Sequence, residues 1–121
     1  MPEEPFIINR IKSVGYAFKG LFILLRTESS IKIQFVIGMV MTVLGFYFDI
    51  STTEWALQCI CIAMVMGIEG LNTAIEKLAD YIQPEFDPKI GLLKDISAGA
   101  VMVVSLASVI VGCIIYIPKI G

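Results

Sequence analysis

Residues 55–80 read Trp55-Ala-Leu-Gln-Cys-Ile-Cys-Ile-Ala-Met-Val-Met-Gly-Ile-Glu69-Gly-Leu-Asn72-Thr-Ala-Ile-Glu76-Lys-Leu-Ala-Asp80. An apolar run passes into an acidic one with no Gly/Pro-rich break, which predicts one helix that crosses a membrane and continues out of it. Glu69, Asn72, Glu76 and Asp80 stand at i, i+3, i+7 and i+11. On a helix they fall within roughly 80° of arc, a polar stripe about 16 Å long. Ionisable groups beside hydrocarbon are costly and seldom face lipid, so the stripe points either to a site or to a partner helix.

Outward from this helix, residues 6–26 interleave Phe6, Ile7, Ile11, Val14, Phe18, Leu21, Phe22 and Leu25 with Arg10, Lys12, Lys19 and Arg26. That spacing predicts an amphipathic helix lying on the membrane surface. Ile33 to Phe48 forms an apolar run between Lys32 and Asp49 and predicts a first span, within a helix over 31–49. Asp49 to Glu54 is polar and predicts a short turn between antiparallel helices, with Trp55 at the headgroup interface and a second helix over 55–82. Pro84 and Pro88 predict a loop. Ile96 to Pro118 is the longest uncharged run and predicts the third span, in a helix over 95–118. The expected architecture is a single all-α membrane domain over residues 1–121, with one surface helix and three transmembrane helices.

The composition agrees with a membrane as solvent: 57% of the 121 residues are hydrophobic and the mean hydropathy is +0.85. The net charge of −2 comes with no basic tract of the kind that neutralises a phosphate backbone, which argues against nucleic acid as a partner. Met1-Pro-Glu-Glu-Pro5 is acidic where a secretory leader is basic, so the start of the chain is expected to be retained. Cys59, Cys61 and Cys113 lie in apolar runs, where free thiols behave as small hydrophobes. Arg10, Lys12, Lys19, Arg26 and Lys32 precede the first span and Lys77, Lys89 and Lys94 separate the second from the third, whereas only Lys119 follows. By the positive-inside rule the N-terminus and the 77–95 region face the cytoplasm and the C-terminus lies outside.

Lys94-Asp95 at the head of the third span, and Glu28 between the surface helix and the first span, can reach the level of Glu69 to Asp80. Several carboxylates with one amide and one lysine suit Mg²⁺ together with nucleotide phosphates. The chain has no His, so Ser-His and Cys-His acyl-transfer arrangements are missing, and neither a Walker A loop nor the protein-kinase motifs occur. Spacing alone leaves two other readings open: polar residues that hold helices together, and a small ion transporter or channel using Glu69, Glu76 and Asp80 as ligands.

The ordered run Glu69-x-x-Asn72-Thr-Ala-Ile-Glu76-x-x-x-Asp80, followed by Lys94-Asp95, resembles the signature of the bacterial integral-membrane diacylglycerol kinase family, which includes the undecaprenol kinases. The likeness extends to Arg10, Lys12, Gly15-Tyr16, Lys19-Gly20 and Glu28, and so covers nearly the whole chain. The resemblance implies a homotrimer with shared active sites near the cytoplasmic face, and a kinase that moves the γ-phosphate of Mg·ATP to diacylglycerol or, alternatively, to undecaprenol. It further implies Glu69 as general base, Glu28 and Glu76 as metal ligands, and Lys94 on phosphate with Asn72 and Asp95 orienting neighbouring groups. Arg10, Tyr16, Glu85, Phe86 and Asp87 match nucleotide positions, Glu69 and Ala98 lie at acceptor positions, and Asp80 supports the site.

The chain departs from some members at Ala98, where they carry Ser near the bound lipid, and at Phe18, where they carry Trp. Thr73 is similar to Gram-positive members, several of which prefer undecaprenol. All three features bear on the acceptor more than on the chemistry. Gly38 with Gly45, and Ser105 with Ser108 and Gly112, fall on single helix faces and predict close helix packing. Met39, Met41, Met64, Met66 and Met102 read as lipid-facing or core filler.

Overall fold

The computed structural model describes residues 5–121, so the reading of the Met1 to Glu4 start lies outside the described residues. Four helices follow one another: α1 (Phe6–Thr27), α2 (Ser29–Tyr47), α3 (Thr52–Ile82) and α4 (Pro88–Ile120). The last three are long and apolar enough to cross a membrane, which makes this a multi-pass membrane protein. Helix α1 carries four cations and buries no residue. The expected all-α plan of one N-terminal helix outside the membrane and three long apolar helices is the observed one.

Local chemistry sets the helix ends, and it shifts two expected boundaries. Between α2 and α3 the polar segment is shorter than its composition implies. Asp49 takes the left-handed conformation (φ 52°), while Ile50 N–H donates to the Gly45 carbonyl at 3.1 Å and Asp49 N–H to the Phe46 carbonyl at 3.3 Å. This is a Schellman ending, with Ile50 buried beneath it. Ser51-Thr-Thr-Glu54 then forms a capping box: the Ser51 hydroxyl accepts from Glu54 N–H (3.2 Å), and the Glu54 carboxylate accepts from Ser51 N–H (2.9 Å). Helix α3 therefore starts at Thr52, not at Trp55.

The second shift is larger. Pro88 does not break the chain into a loop; it occupies the first turn of α4, where its missing N–H costs nothing. Asp87 caps that turn, accepting from Lys89 N–H at 2.8 Å and Ile90 N–H at 3.4 Å. Lys94 and Asp95 consequently lie about two turns into a 33-residue helix and do not open it.

Helices α3 and α4 pack most extensively, with α2 against α3 and α1 against α2. The core gathers at the Trp55 end, where Ile50, Ile115 and Tyr116 are buried among Met41, Leu44, Phe48, Trp55 and Val111. Trp55 is thus built into the helix packing. Its ring lies across Gly45, where an added Cβ would fall 2.5 Å from Cη2, and 4.9 Å from the Phe46 ring centroid. Gly38 is likewise buried against Ile62, so both α2 glycines serve close packing as predicted. The α4 face behaves differently: Ser105, Ser108 and Gly112 line an apolar groove of about 680 Å³ shared with α2 and α3, and a Cβ on Gly112 would meet nothing within 4 Å. The three cysteines are free.

One polar network crosses this core. The Tyr116 hydroxyl donates to Gln58 Oε1 at 2.5 Å, and Gln58 Nε2 donates to the Met41 carbonyl at 3.0 Å. Gln58 is only 5% exposed, so its amide needs both bonds. At the rim, Lys119 Nζ meets both Glu54 oxygens, at 2.9 and 3.1 Å, and the Ile115 carbonyl at 3.1 Å.

Candidate active site at the acidic end

The opposite end of α3 carries the polar stripe on an unbroken helix that runs to Ile82. Its members differ in burial. Glu69 is 8% exposed and is the one buried carboxylate among the described residues, Asn72 is half-buried, and Glu76 and Asp80 are exposed. Helix α1 covers the turn beside Glu69: Leu24 Cδ1 would lie 3.1 Å from a Cβ on Gly70, so glycine there lets the two helices approach.

Asn72 Nδ2 donates to Glu76 Oε1 at 2.7 Å, one helical turn along the stripe. Asn72 Oδ1 is buried and has no hydrogen-bond partner among the described residues. An unsatisfied amide oxygen beside a carboxylate leaves acceptor capacity for a cation or a donor.

Glu28 sits at the break between α1 and α2 in an extended conformation (φ −100°, ψ 117°). Although it occupies the N-cap position of α2, its side chain makes no capping bond. Its carboxylate instead lies 3.7 Å from Lys77 Nζ and accepts from the Thr27 hydroxyl at 3.5 Å. The break therefore sets the Glu28 carboxylate against α3 at Lys77, the residue that follows Glu76. Lys77 was not singled out from the sequence, where nothing distinguishes it from a solvated lysine.

A second group forms where α3 hands over to α4. Asp80, Glu85, Phe86, Asp87, Lys94 and Asp95 line a cavity of about 260 Å³, with Gln83, Pro84, Ile90 and Gly91 completing its wall. Lys94 Nζ is ion-paired with the Asp80 carboxylate. The cap at Asp87 holds this wall, so Asp87 has a structural duty that the sequence reading overlooked; Asp-Pro-Lys before an apolar run is its sequence signal. Phe86 is 88% exposed and free to stack on a flat partner.

Other expected members stand apart within one chain. Arg10 is exposed on α1 with its guanidinium 5.5 Å above the Phe6 ring, Tyr16 is 60% exposed, and Ala98 is exposed on α4. No group of three or more Asp, Glu, Cys or His side chains among the described residues is close enough to hold a metal ion. The chain alone thus supplies pairs of oxygen donors and one cation beside a small cleft.

Comparison with known proteins identifies the family. Residues 15–116 match the prokaryotic diacylglycerol kinase family. The chain is 34% identical over 113 residues to the undecaprenol kinase of Bacillus subtilis (strain 168), covering 93% of this chain and 92% of that protein. It is 30% identical to the diacylglycerol kinase of Escherichia coli (strain K12) over 105 residues, 87% of this chain and 86% of the relative. A diacylglycerol kinase of Synechocystis sp. is 27% identical over 111 residues, with 91% of this chain and 63% of that protein covered. A family match across most of the chain, with the acid stripe, Lys94-Asp95 and Glu28 all inside it, places this chain in the prokaryotic diacylglycerol kinase family, whose members are phosphotransferases.

Proposed function

We propose that this protein phosphorylates undecaprenol, moving the γ-phosphate of Mg·ATP to the lipid hydroxyl. The observation that carries the acceptor is the 34% identity to an undecaprenol kinase across 93% of the chain, against 30% across 87% for a diacylglycerol kinase. The sequence reading put diacylglycerol first; the relatives and Thr73 favour the polyprenol, and diacylglycerol becomes the second reading. Family membership lends the ion-channel reading no support.

In the reaction, Glu69 takes the proton of the lipid hydroxyl as its oxygen bonds to the γ-phosphorus, and the bond to the β–γ bridging oxygen breaks to release ADP. The low exposure of Glu69 supports this role, because it keeps water from competing with the lipid for the base. Glu28 and Glu76 are the ligands we assign to Mg²⁺, and the orphan Asn72 Oδ1 beside Glu76 supports that donor set. When bound, the ion offsets charge on the phosphates; two carboxylates are enough, because Mg²⁺ usually completes its shell with phosphate and water. Lys94 and Asp95 line the small cleft with Glu85, Phe86 and Asp87 and hold the nucleotide there, joined by Arg10 and Tyr16 of α1. Asp80 holds Lys94 in place until phosphate takes over its charge. Glu69 and Ala98 border the acceptor.

The separation of these groups within one chain supports a homotrimer whose active sites draw on neighbouring copies. The distribution of Lys and Arg supports a place in the bacterial cytoplasmic membrane, with the acidic end and the N-terminus in the cytoplasm. The test is transfer of labelled γ-phosphate from Mg·ATP by the purified protein in mixed micelles, with undecaprenol and diacylglycerol offered in parallel. Label in undecaprenol is expected; label in diacylglycerol alone would overturn the acceptor, and none in either would overturn the kinase.

A further inference from the structure

Helix α1 holds a feature that phosphoryl transfer leaves unused. Lys12, Lys19 and Arg26 are spaced seven apart and all three are exposed. A seven-residue step drifts only about 20° on an α-helix, so the three cations share roughly 40° of arc along about 21 Å of helix. No Asp or Glu occurs between Phe6 and Thr27, so the sequence of α1 carries a formal charge of +4.

The rest of the helix shows which way this rail faces. Leu24, which touches the Gly70 turn, and the half-buried Ser13 mark the side toward the bundle. Ile7, Ile11, Val14, Phe18 and Phe22 are all more than half exposed and form an apolar face. By helical geometry the rail lies roughly 100° from the centre of that face and about 140° from Leu24. With the apolar face set in the acyl boundary, the rail runs at the level of lipid phosphates, away from the bundle.

The geometry points to a binding surface for anionic phospholipid headgroups along Lys12, Lys19 and Arg26. Charge complementarity selects the occupant: a linear array of cations bordering an apolar face fits the surface of a negatively charged bilayer. A soluble acidic protein would leave the apolar face uncovered. The consequence is a shell of anionic lipid gathered beside the helix that packs on the Gly70 turn next to Glu69.

The test uses the full-length protein reconstituted in phosphatidylcholine bilayers and reads the association of spin-labelled phosphatidylglycerol against spin-labelled phosphatidylcholine by electron spin resonance. Lipid association is measured without turnover, so the outcome is independent of the kinase reading. A preference of about two- to fivefold for the anionic lipid is expected, falling toward unity at 1 M salt, where the Debye length shrinks to about 3 Å. The combined Lys12→Gln, Lys19→Gln, Arg26→Gln protein should lose it, and Lys12→Arg with Lys19→Arg should keep it. Equal association of the two lipids with the unaltered protein, or a preference that survives the triple glutamine change, would overturn the assignment.

Discussion

The two ends of the bundle use similar residue types and differ in what those residues are bonded to. At the Trp55 end, Glu54 is engaged by Lys119 and Ser51, and Gln58 by Tyr116 and Met41, with Trp55 packed on Gly45. At the acidic end, among the described residues, Glu76 holds only the Asn72 amide, the Asn72 oxygen has no partner, and Glu28 keeps a loose 3.7 Å approach to Lys77. One end commits its polar groups to holding three helices together, and the other, apart from the Lys94–Asp80 ion pair and the Asp87 cap, leaves them available. Satisfied polar groups contribute stability and specificity, while unsatisfied ones persist where a ligand completes them.

The contrast can be broken or sharpened by substitution. The largest effect is expected for Glu69→Gln, which removes the proposed base without changing side-chain size. Phosphate transfer should fall by about 10²- to 10⁴-fold with thermal unfolding unchanged. Asn72→Ala takes away the partner of Glu76 and should lower activity by about 10- to 100-fold, much of it recovered at higher Mg²⁺. An unaltered Mg²⁺ dependence would remove Asn72 from the donor set.

At the other end, Gly45→Leu drives a side chain into the Trp55 ring and should destabilise the fold by about 1–3 kcal/mol, read by the fluorescence of the chain's one tryptophan. Tyr116→Phe leaves Gln58 Oε1 without its donor and should cost about 1 kcal/mol, with transfer by the folded protein retained. Asp49→Gly relieves the left-handed residue of the α2–α3 turn and should raise stability by about 0.5 kcal/mol, a small shift in unfolding temperature at unchanged activity.

How far the sequence reached differs between the same two ends. The acid stripe was legible because a helix converts i, i+3, i+7, i+11 into one face without reference to any other element. The close packing at Gly38 and Gly45 was legible for the same reason, whereas Gly112, on an equally clear face, lines an open groove. Periodicity identifies a face and not what covers it.

The Gln58–Tyr116 bond joins residues 58 apart and leaves no local signature, so it could be found only in three dimensions. The start of α4 was misread for another reason. Pro88 reads as a breaker in the sequence, but a proline directly after a capping Asp begins a helix, and that puts Lys94 and Asp95 about two turns into α4 and not at its head. The capping box at Ser51 was equally present in the sequence and went unused.

The division of labour between the two ends is tested most directly by one paired measurement: labelled-phosphate transfer to undecaprenol and thermal unfolding, both read on the same preparations of Glu69→Gln and Tyr116→Phe. Predicted is a Glu69→Gln protein that unfolds like the unaltered chain and transfers almost no phosphate, beside a Tyr116→Phe protein that transfers normally and unfolds more readily. A Glu69→Gln protein that keeps full transfer, or a Tyr116→Phe protein that loses transfer with its stability intact, would contradict it.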